Sequence, residues 1–314
     1  MPTDLSAVAR PGRAASRCLD AAGIWDVALR ADYEIARELN ALHGKTYYLA
    51  TLLLPPAKRP FVHALYGFAR YADEVVDDLG DDRPIDEKAA ALDELQRELI
   101  ACVSGGQSRI PVVRAVAHTI TTWNLDMAHF DAFMHSMRMD LSVTHYESYE
   151  ALYEYVYGSA AVIGLQMVPI LTPSDAQAFE CAKDLGIAFQ LANFIRDVGE
   201  DLERGRIYLP LDELAAHGVT PEILRERVAT PAVKRALAQQ IERVRTLQRD
   251  AEPGIAMLDA ASQPCIRAAS VLYCGIVDEV ERIAYDVFNK RASVPLCRRL
   301  AVAGRAWFHA CAAR

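Results

Sequence analysis

Tyr66, Arg70, Asp73 and Asp77 are spaced by four, three and four residues, and Gln190, Asn193, Asp197 and Asp201 by three, four and four. Residues at such spacings share one face of an α-helix, so each segment predicts a helix with a polar stripe tipped by acid. A lone acid pair at this spacing says little, because a chain with 42 acids in 314 residues holds about six by chance, and solvated faces accept them. The flanks change the reading. Leu65, Phe68, Ala69, Ala72, Val75 and Val76 surround the first stripe, and Leu191, Ala192, Phe194, Ile195 and Val198 the second. Helices apolar over most of their circumference belong inside a bundle, so their acids face a cavity or each other. Carboxylates gathered in a partly desolvated cavity cost several kcal/mol, or take up protons, unless cations join them. The donors on offer are all oxygen, from carboxylates and the amides of Asn193 and Gln190, and no His/Cys set has zinc spacing. Hard oxygen ligands favour Mg²⁺, with Mn²⁺ as a substitute, and Mg²⁺ shares its shell with substrate phosphates. Arg70, Arg196, Arg204 and Arg206 are then candidates to hold phosphate oxygens. The spacing predicts a diphosphate held between two acidic helices through bridging Mg²⁺.

The elements that must position these stripes are helical, since 3.6-residue periodicity recurs and strand alternation does not. The strongest predicted helices cover Ala57–Leu79, Ile85–Val103, Asp126–Thr144, Ser148–Val168, Ser174–Glu203, Pro231–Ala251 and Cys265–Arg291. Thr230–Pro231 is an N-cap followed by proline at the first helical position, and Pro253–Gly254 is expected to close that helix. Prolines and glycines fall mostly between the segments, and no repeat or long linker separates domains. The expectation is an all-α, single-domain bundle of roughly ten to twelve helices around a central apolar cavity. Residues 1–24 are read as a mobile N-terminal tail and residues 25–314 as the helical domain.

Composition narrows the function classes. With 52% hydrophobic and 24% charged residues the chain is globular. The net charge of −8 argues against nucleic acid as a partner, which would need a basic surface. Seven cysteines, none in a CxxC pair, suit a reducing compartment, and a cytoplasmic protein, at most peripheral on a membrane, is expected. The longest uncharged run, Tyr155–Leu171, is read as a buried helix lining an internal pocket, with Tyr155 and Tyr157 at its entry, and not as a membrane span. Lys290–Arg314 carries six basic residues and no acid. A last helix docked on the bundle is the expectation there, with contact to an anionic membrane surface as the alternative.

The segments "HGKTYYLATLLLP", "ALYGFARYADEVVDD", "MRMDLSVTHY" and "NFIRDVGEDLERGRIYLP" occur in the order and spacing of the squalene/phytoene synthase family. The resemblance runs from about Asp32 to Arg291 and is most like bacterial phytoene synthases. It implies an isoprenoid-synthase bundle and a head-to-head prenyl transfer, in which two geranylgeranyl diphosphates condense through prephytoene diphosphate to phytoene. By motif, Asp73 and Asp77 would form the first Mg²⁺–diphosphate site, and Asn193, Asp197 and Asp201 the second. Arg70, Gln190, Arg196 and Tyr273 would contact substrate, as would His43 and Lys45 near the entrance. Tyr66 and Tyr47 would line the reacting centre. Lys290 falls where relatives use a basic residue, and Gly44 stands where some carry serine. NADPH is not expected, because phytoene formation does not need it. A squalene or dehydrosqualene synthase acting on farnesyl diphosphate is the nearest alternative.

Overall fold

A computed structural model describes residues 12–77 and 83–312, with the backbone alone at Asp77. Residues 78–82, and with them Asp78 and Leu79 at the end of the first acidic segment, lie outside the described residues, as does the Asp77 side chain.

Among the described residues there are sixteen α-helices, one π-helical turn and no strand beyond an isolated bridge between His145 and Ile207. The count exceeds ten to twelve because several helices have only one or two turns, too short for periodicity to resolve. The first, α1 (Arg13–Ala21), lies within the expected tail, yet Leu19 and the following Ile24 are buried, and Arg30 donates to the Ser16 hydroxyl and Ile24 carbonyl. That part of the tail reading is corrected: an apolar anchor and an arginine tie it down. The chain continues through α2 (Val27–His43), α3 (Lys45–Thr51), α4 (Arg59–Asp77), α5 (Ile85–Val103), α6 (Pro111–Trp123) and α7 (Met127–Met139). Asp126 caps α7 by accepting from the Ala128 N–H at 2.9 Å. This helix ends five residues before the predicted Thr144, because the following backbone pairs with another segment: the Thr144 carbonyl accepts from the Ile207 N–H at 2.8 Å.

The predicted helix over Ser148–Val168 is one rod in three parts: α8 (Tyr149–Val156), the π turn (Tyr157–Ala161) and α9 (Val162–Ile170). A π turn inserts a residue and leaves a carbonyl without its usual helical donor; the Ser136 hydroxyl donates to the Tyr155 carbonyl at 2.9 Å. Gly158 is required here, since a Cβ would lie 2.1 Å from the Ala132 carbonyl oxygen. Next come α10 (Gln177–Glu203), α11 (Leu211–Ala216), α12 (Pro221–Arg225) and α13 (Pro231–Ala256). Thr230 caps α13 as expected, accepting from the Val233 N–H, and Val233, Leu237, Ile241 and Val244 are buried along one stripe. Pro253 does not close the helix, which continues to Ala256, and Gly254 lets α13 approach Cys181. The predicted Cys265–Arg291 helix is divided into α14 (Gln263–Cys274) and α15 (Ile276–Arg282), and Ala284 and Tyr285 at positive φ then turn the chain back. The last helix is α16 (Leu296–Ala312).

The core has two joined parts, one around α4–α7 and α9, the other around α8, α10, α13 and α15. An apolar cavity lies between them, walled by α3, α4, α9, α10, α13 and α14. Among the described residues no helix is long and apolar enough to cross a membrane; much of Tyr155–Leu171 forms the cavity wall instead, through Ile163, Met167 and Leu171.

Candidate active site

Both striped helices run from the cavity wall outward to their acids. On α4, Val62 lines the cavity and Tyr66, Arg70 and Asp73 follow turn by turn; on α10, Phe189 and Gln190 line it and Asn193, Asp197 and Asp201 follow. The apolar flanks predicted for each stripe are buried, except for partly buried Ala69. Tyr47 and Tyr66 stack with ring centroids 5.5 Å apart, and Tyr273 stacks on Phe189 at 4.8 Å. The hydroxyls of Tyr47, Tyr66 and Tyr273 are close enough to influence one another electrostatically, and Tyr273 also senses Arg196. These tyrosines link the α4 stripe to the α10 stripe across the cavity.

Gly44 has a steric reason. A Cβ there would lie 2.7 Å from the Tyr66 ring and from the Asn40 side-chain oxygen, so a serine could not coexist with this tyrosine position.

The first stripe is internally paired. Arg70 donates to Asp73 at 2.8 Å and to Glu74 at 3.1 Å, and His43 lies 3.7 Å from Glu74. Burial, then the Arg70 charge, lowers the His43 pKa against the pull of Glu74. Lys45 begins α3 with an exposed side chain and has no ion pair among the described residues.

The second stripe is more enclosed. Arg196 makes a two-pronged contact with Asp197, 2.7 Å on its Nε side. Arg291 reaches Asp197 at 3.3 Å and Glu200 at 2.9 Å. Burial, with the Asp197 charge next, pushes the Asp201 carboxyl up to about 7 although Arg204 and Arg206 pull it down. The Asn193 side-chain oxygen is buried with no hydrogen-bond donor.

Lys290, the basic residue expected at the site, lies 3.9 Å from Asp286 and is largely exposed; Arg291 beside it is the cation on the acidic helix. Periodicity predicts helix through Arg291, whereas the chain leaves α15 at Arg282, so helical spacing could not choose between the two. Gly199, inside the second motif, makes this contact possible. A Cβ on it would meet the Val287 carbonyl oxygen at 2.8 Å and the Phe288 Cα at 3.0 Å, and Arg227 fastens the two segments by donating to the Gly199 and Phe288 carbonyls.

The "GRIYLP" tail also has a structural task. Asp140 of "MRMDLSV" accepts from the Tyr155 hydroxyl at 2.7 Å and the Tyr208 hydroxyl at 3.0 Å, and its carbonyl accepts from Arg206. Tyr208 stacks on Phe194 of α10 at 4.3 Å. This cluster fixes the acidic end of α10. It also corrects the placing of Tyr155, which is buried here instead of standing at the cavity entry.

Whether the residues suit a divalent ion can be judged from the donor set. Among the described residues no three carboxylate, histidine or cysteine side chains form a ready-made cage. Asp197 and Asp201, with the undonated Asn193 oxygen, nevertheless supply two carboxylates and an amide on one helix face. That set suits Mg²⁺, which keeps part of its shell for water and phosphate oxygens. Burial, and Asp197 beside it, favour the proton on Asp201, and a divalent ion bound there would oppose that.

An all-helical bundle with an apolar cavity, approached by two helices whose acids are interleaved with arginines, defines an enzyme of the prenyl-transferring class. The chain belongs to the squalene/phytoene synthase family, whose profile matches residues 41–298. It is 37% identical over 282 residues to the chloroplastic phytoene synthase of Daucus carota, covering 88% of this chain and 70% of that one. It is 35% identical over 306 residues to the 15-cis-phytoene synthase of Synechococcus elongatus, covering 93% and 94%. Among solved structures, a dehydrosqualene synthase in complex with ligand superposes with a TM-score of 0.81 at 25% identity, covering 90% of this chain and 98% of that one. A squalene synthase from Alicyclobacillus acidocaldarius gives 0.77 at 28% identity, covering 84% and 98%. The protein is a prenyltransferase.

Gly199→Ala is expected to displace the 287–291 segment and release Arg291 from Asp197. Turnover should fall by about tenfold to a hundredfold, the usual consequence of a small misplacement at a reacting centre, while far-UV circular dichroism stays unchanged. Undiminished turnover in this variant would remove Arg291 from the site.

Proposed function

We propose that the protein joins two geranylgeranyl diphosphates head to head, through prephytoene diphosphate, to give phytoene in carotenoid biosynthesis, and that it depends on Mg²⁺. The observation that carries this reading is that both acidic stripes lead to one apolar cavity capped by Tyr47, Tyr66 and Tyr273. Asp73 and Asp77 on α4, and Asn193, Asp197 and Asp201 on α10, would hold the metal. Bound Mg²⁺ would neutralise the departing diphosphate and so ease cleavage of the allylic carbon–oxygen bond.

The protein's own groups do the rest. Arg70, Arg196 and Arg291 are positioned on the acids in the free chain and can exchange these partners for phosphate oxygens when metal and substrate arrive. His43 and Lys45 meet the substrate near the entrance, and Gln190 and Tyr273 at the cavity. The apolar wall excludes water, which would otherwise trap the carbocation as an alcohol. Tyrosine faces stabilise such a cation by about 0.5–2 kcal/mol each. Burial raises the phenols of Tyr66 and Tyr273, the latter to about 12, so at neutral pH both carry their protons. The released diphosphate, formed at each condensation step, would accept the proton lost there. A hydrocarbon product also favours peripheral contact with a membrane.

A farnesyl diphosphate-using squalene or dehydrosqualene synthase is the second reading, supported by the names of the structural neighbours. Purified protein incubated with Mg²⁺ and either diphosphate, with and without NADPH, separates the two. Phytoene from geranylgeranyl diphosphate without NADPH is expected; product from farnesyl diphosphate alone, or only with NADPH, would overturn the first reading.

A further inference from the structure

Three loops converge on the end of the cavity farthest from the acids. Along α10 the lining residues run from Gln190 back to Ala178, a helical rise of about 18 Å. α9 packs against α10 in the opposite sense, Ala160 facing Gly186 and Gly164 facing Ala182, so Leu171 arrives beside Ala178. α13 is also antiparallel to α10, with Gly254 against Cys181, which brings Leu258 to the same end. Leu54 joins them from the loop before α4. These four residues are buried, so this end is sealed from solvent. The Ser174 N–H donates to the Met257 carbonyl at 2.7 Å and the Asp259 N–H to the Leu171 carbonyl at 3.2 Å. Lys58 completes the junction. Its ammonium donates to the Thr172 hydroxyl at 2.8 Å, the Asp259 carboxylate at 2.7 Å and the Ser262 hydroxyl at 3.0 Å. A lysine has three donors; all are used here, and the side chain is only 12% exposed.

We infer that Lys58 is a positioning residue whose three hydrogen bonds hold the floor of Leu54, Leu171 and Leu258 shut, and that this floor sets the longest prenyl tail the cavity admits. Directional bonds to a nearly desolvated ammonium restrain the loops more closely than apolar contact would, because a loop that drifts leaves the charge without a partner. A tail that ends short of the floor leaves apolar wall unfilled and gains less from burial. A tail one isoprene unit too long must push the leucines aside, and a close-packed wall yields only at a cost. The floor therefore discriminates on both sides of one length. That this length is the geranylgeranyl chain rests on the proposed reaction; that the cavity has a pinned floor does not.

The test is calorimetric titration of the full chain, in Mg²⁺, with unreactive thiolodiphosphate analogues of farnesyl, geranylgeranyl and geranylfarnesyl diphosphate, each one isoprene unit longer than the last. Wild type is expected to bind the geranylgeranyl analogue best and the geranylfarnesyl analogue at least about tenfold more weakly. Lys58→Met, which keeps the stem and removes the ammonium, and Leu258→Ala, which removes a floor side chain, should each reduce that gap to about threefold or less. Ala178→Leu should move the preference to the farnesyl analogue, and Lys58→Arg, which keeps charge and donors, should retain the wild-type order. Equal weakening of all three analogues in Lys58→Met and Leu258→Ala is the mark of a merely structural role and would overturn the inference. So would wild type binding the two longer analogues equally well. A wild-type preference for the farnesyl analogue that Lys58→Met lengthens would keep the floor and favour the second reading of the reaction. The expected length profile without turnover of geranylgeranyl diphosphate would keep this inference and sink the proposed reaction.

Discussion

Asp197→Asn is expected to lower turnover by about three orders of magnitude, the scale on which removal of a key electrostatic group at a reacting centre is felt, while the helical fold survives. The substitution preserves shape and removes no core volume. It takes away the negative charge on which Arg196 and Arg291 converge and with it a proposed metal ligand. Two cations would then face each other without the acid between them, and the oxygen that remains is a weaker donor for a hard ion. Glu200→Gln is the matched control. Glu200 shares Arg291 with Asp197 but is about half exposed, so its loss should change turnover by less than about tenfold. Steady-state assays across a Mg²⁺ series, with circular dichroism and melting curves on the same preparations, decide the matter. Equal effects of the two substitutions, or loss of fold along with activity in Asp197→Asn, would refute the assignment.

The second large effect concerns proton and metal at Asp201. Its carboxyl is held up from the ordinary 3.8 to about 7 by burial and then by Asp197. Below pH 4 the group carries its proton in both the folded and the unfolded chain. Between the two values the folded chain retains a proton that the unfolded chain has released, so the metal-free protein loses stability as pH rises through this window and levels off above it. Each unit of separation is worth about 1.4 kcal/mol. Asp32 and Asp184 are also raised by burial, and Glu213 and Asp259 are lowered by their partners; the difference between wild type and Asp201→Asn isolates the one group. Urea unfolding in EDTA should show wild type losing stability relative to Asp201→Asn as pH rises toward about 7. Mg²⁺ must displace the proton, so its affinity should climb about tenfold per pH unit up to that point and then flatten. Parallel pH profiles for the two proteins would show that Asp201 is not the strained group.

Much of the site was legible before any coordinates because its code is short-range. A helix repeats its face every three or four residues, so Tyr66, Arg70 and Asp73, or Asn193, Asp197 and Asp201, align from spacing alone, and apolar flanks such as Phe68 and Phe194 require burial. Burial of acids, in turn, requires a counter-charge. The cap of α13 was readable for the same reason: Thr230 acts on backbone only three residues away.

Contacts between segments distant in sequence were not legible, because no local period encodes them. Arg291 and not Lys290 reaches Asp197 only because Gly199 and Arg227 draw the 287–291 segment against α10. Tyr155 turns away from the cavity because Asp140 and Tyr208 take its hydroxyl into a buried cluster. The sequence by itself determined that the chain is helical and where its acidic faces lie; the tertiary structure alone decided which arginines stand on those acids and that the last helix turns its bulky side chains outward. The physical reason is that the first set follows from helical geometry within a few residues, and the second from contacts chosen only when the whole bundle closes.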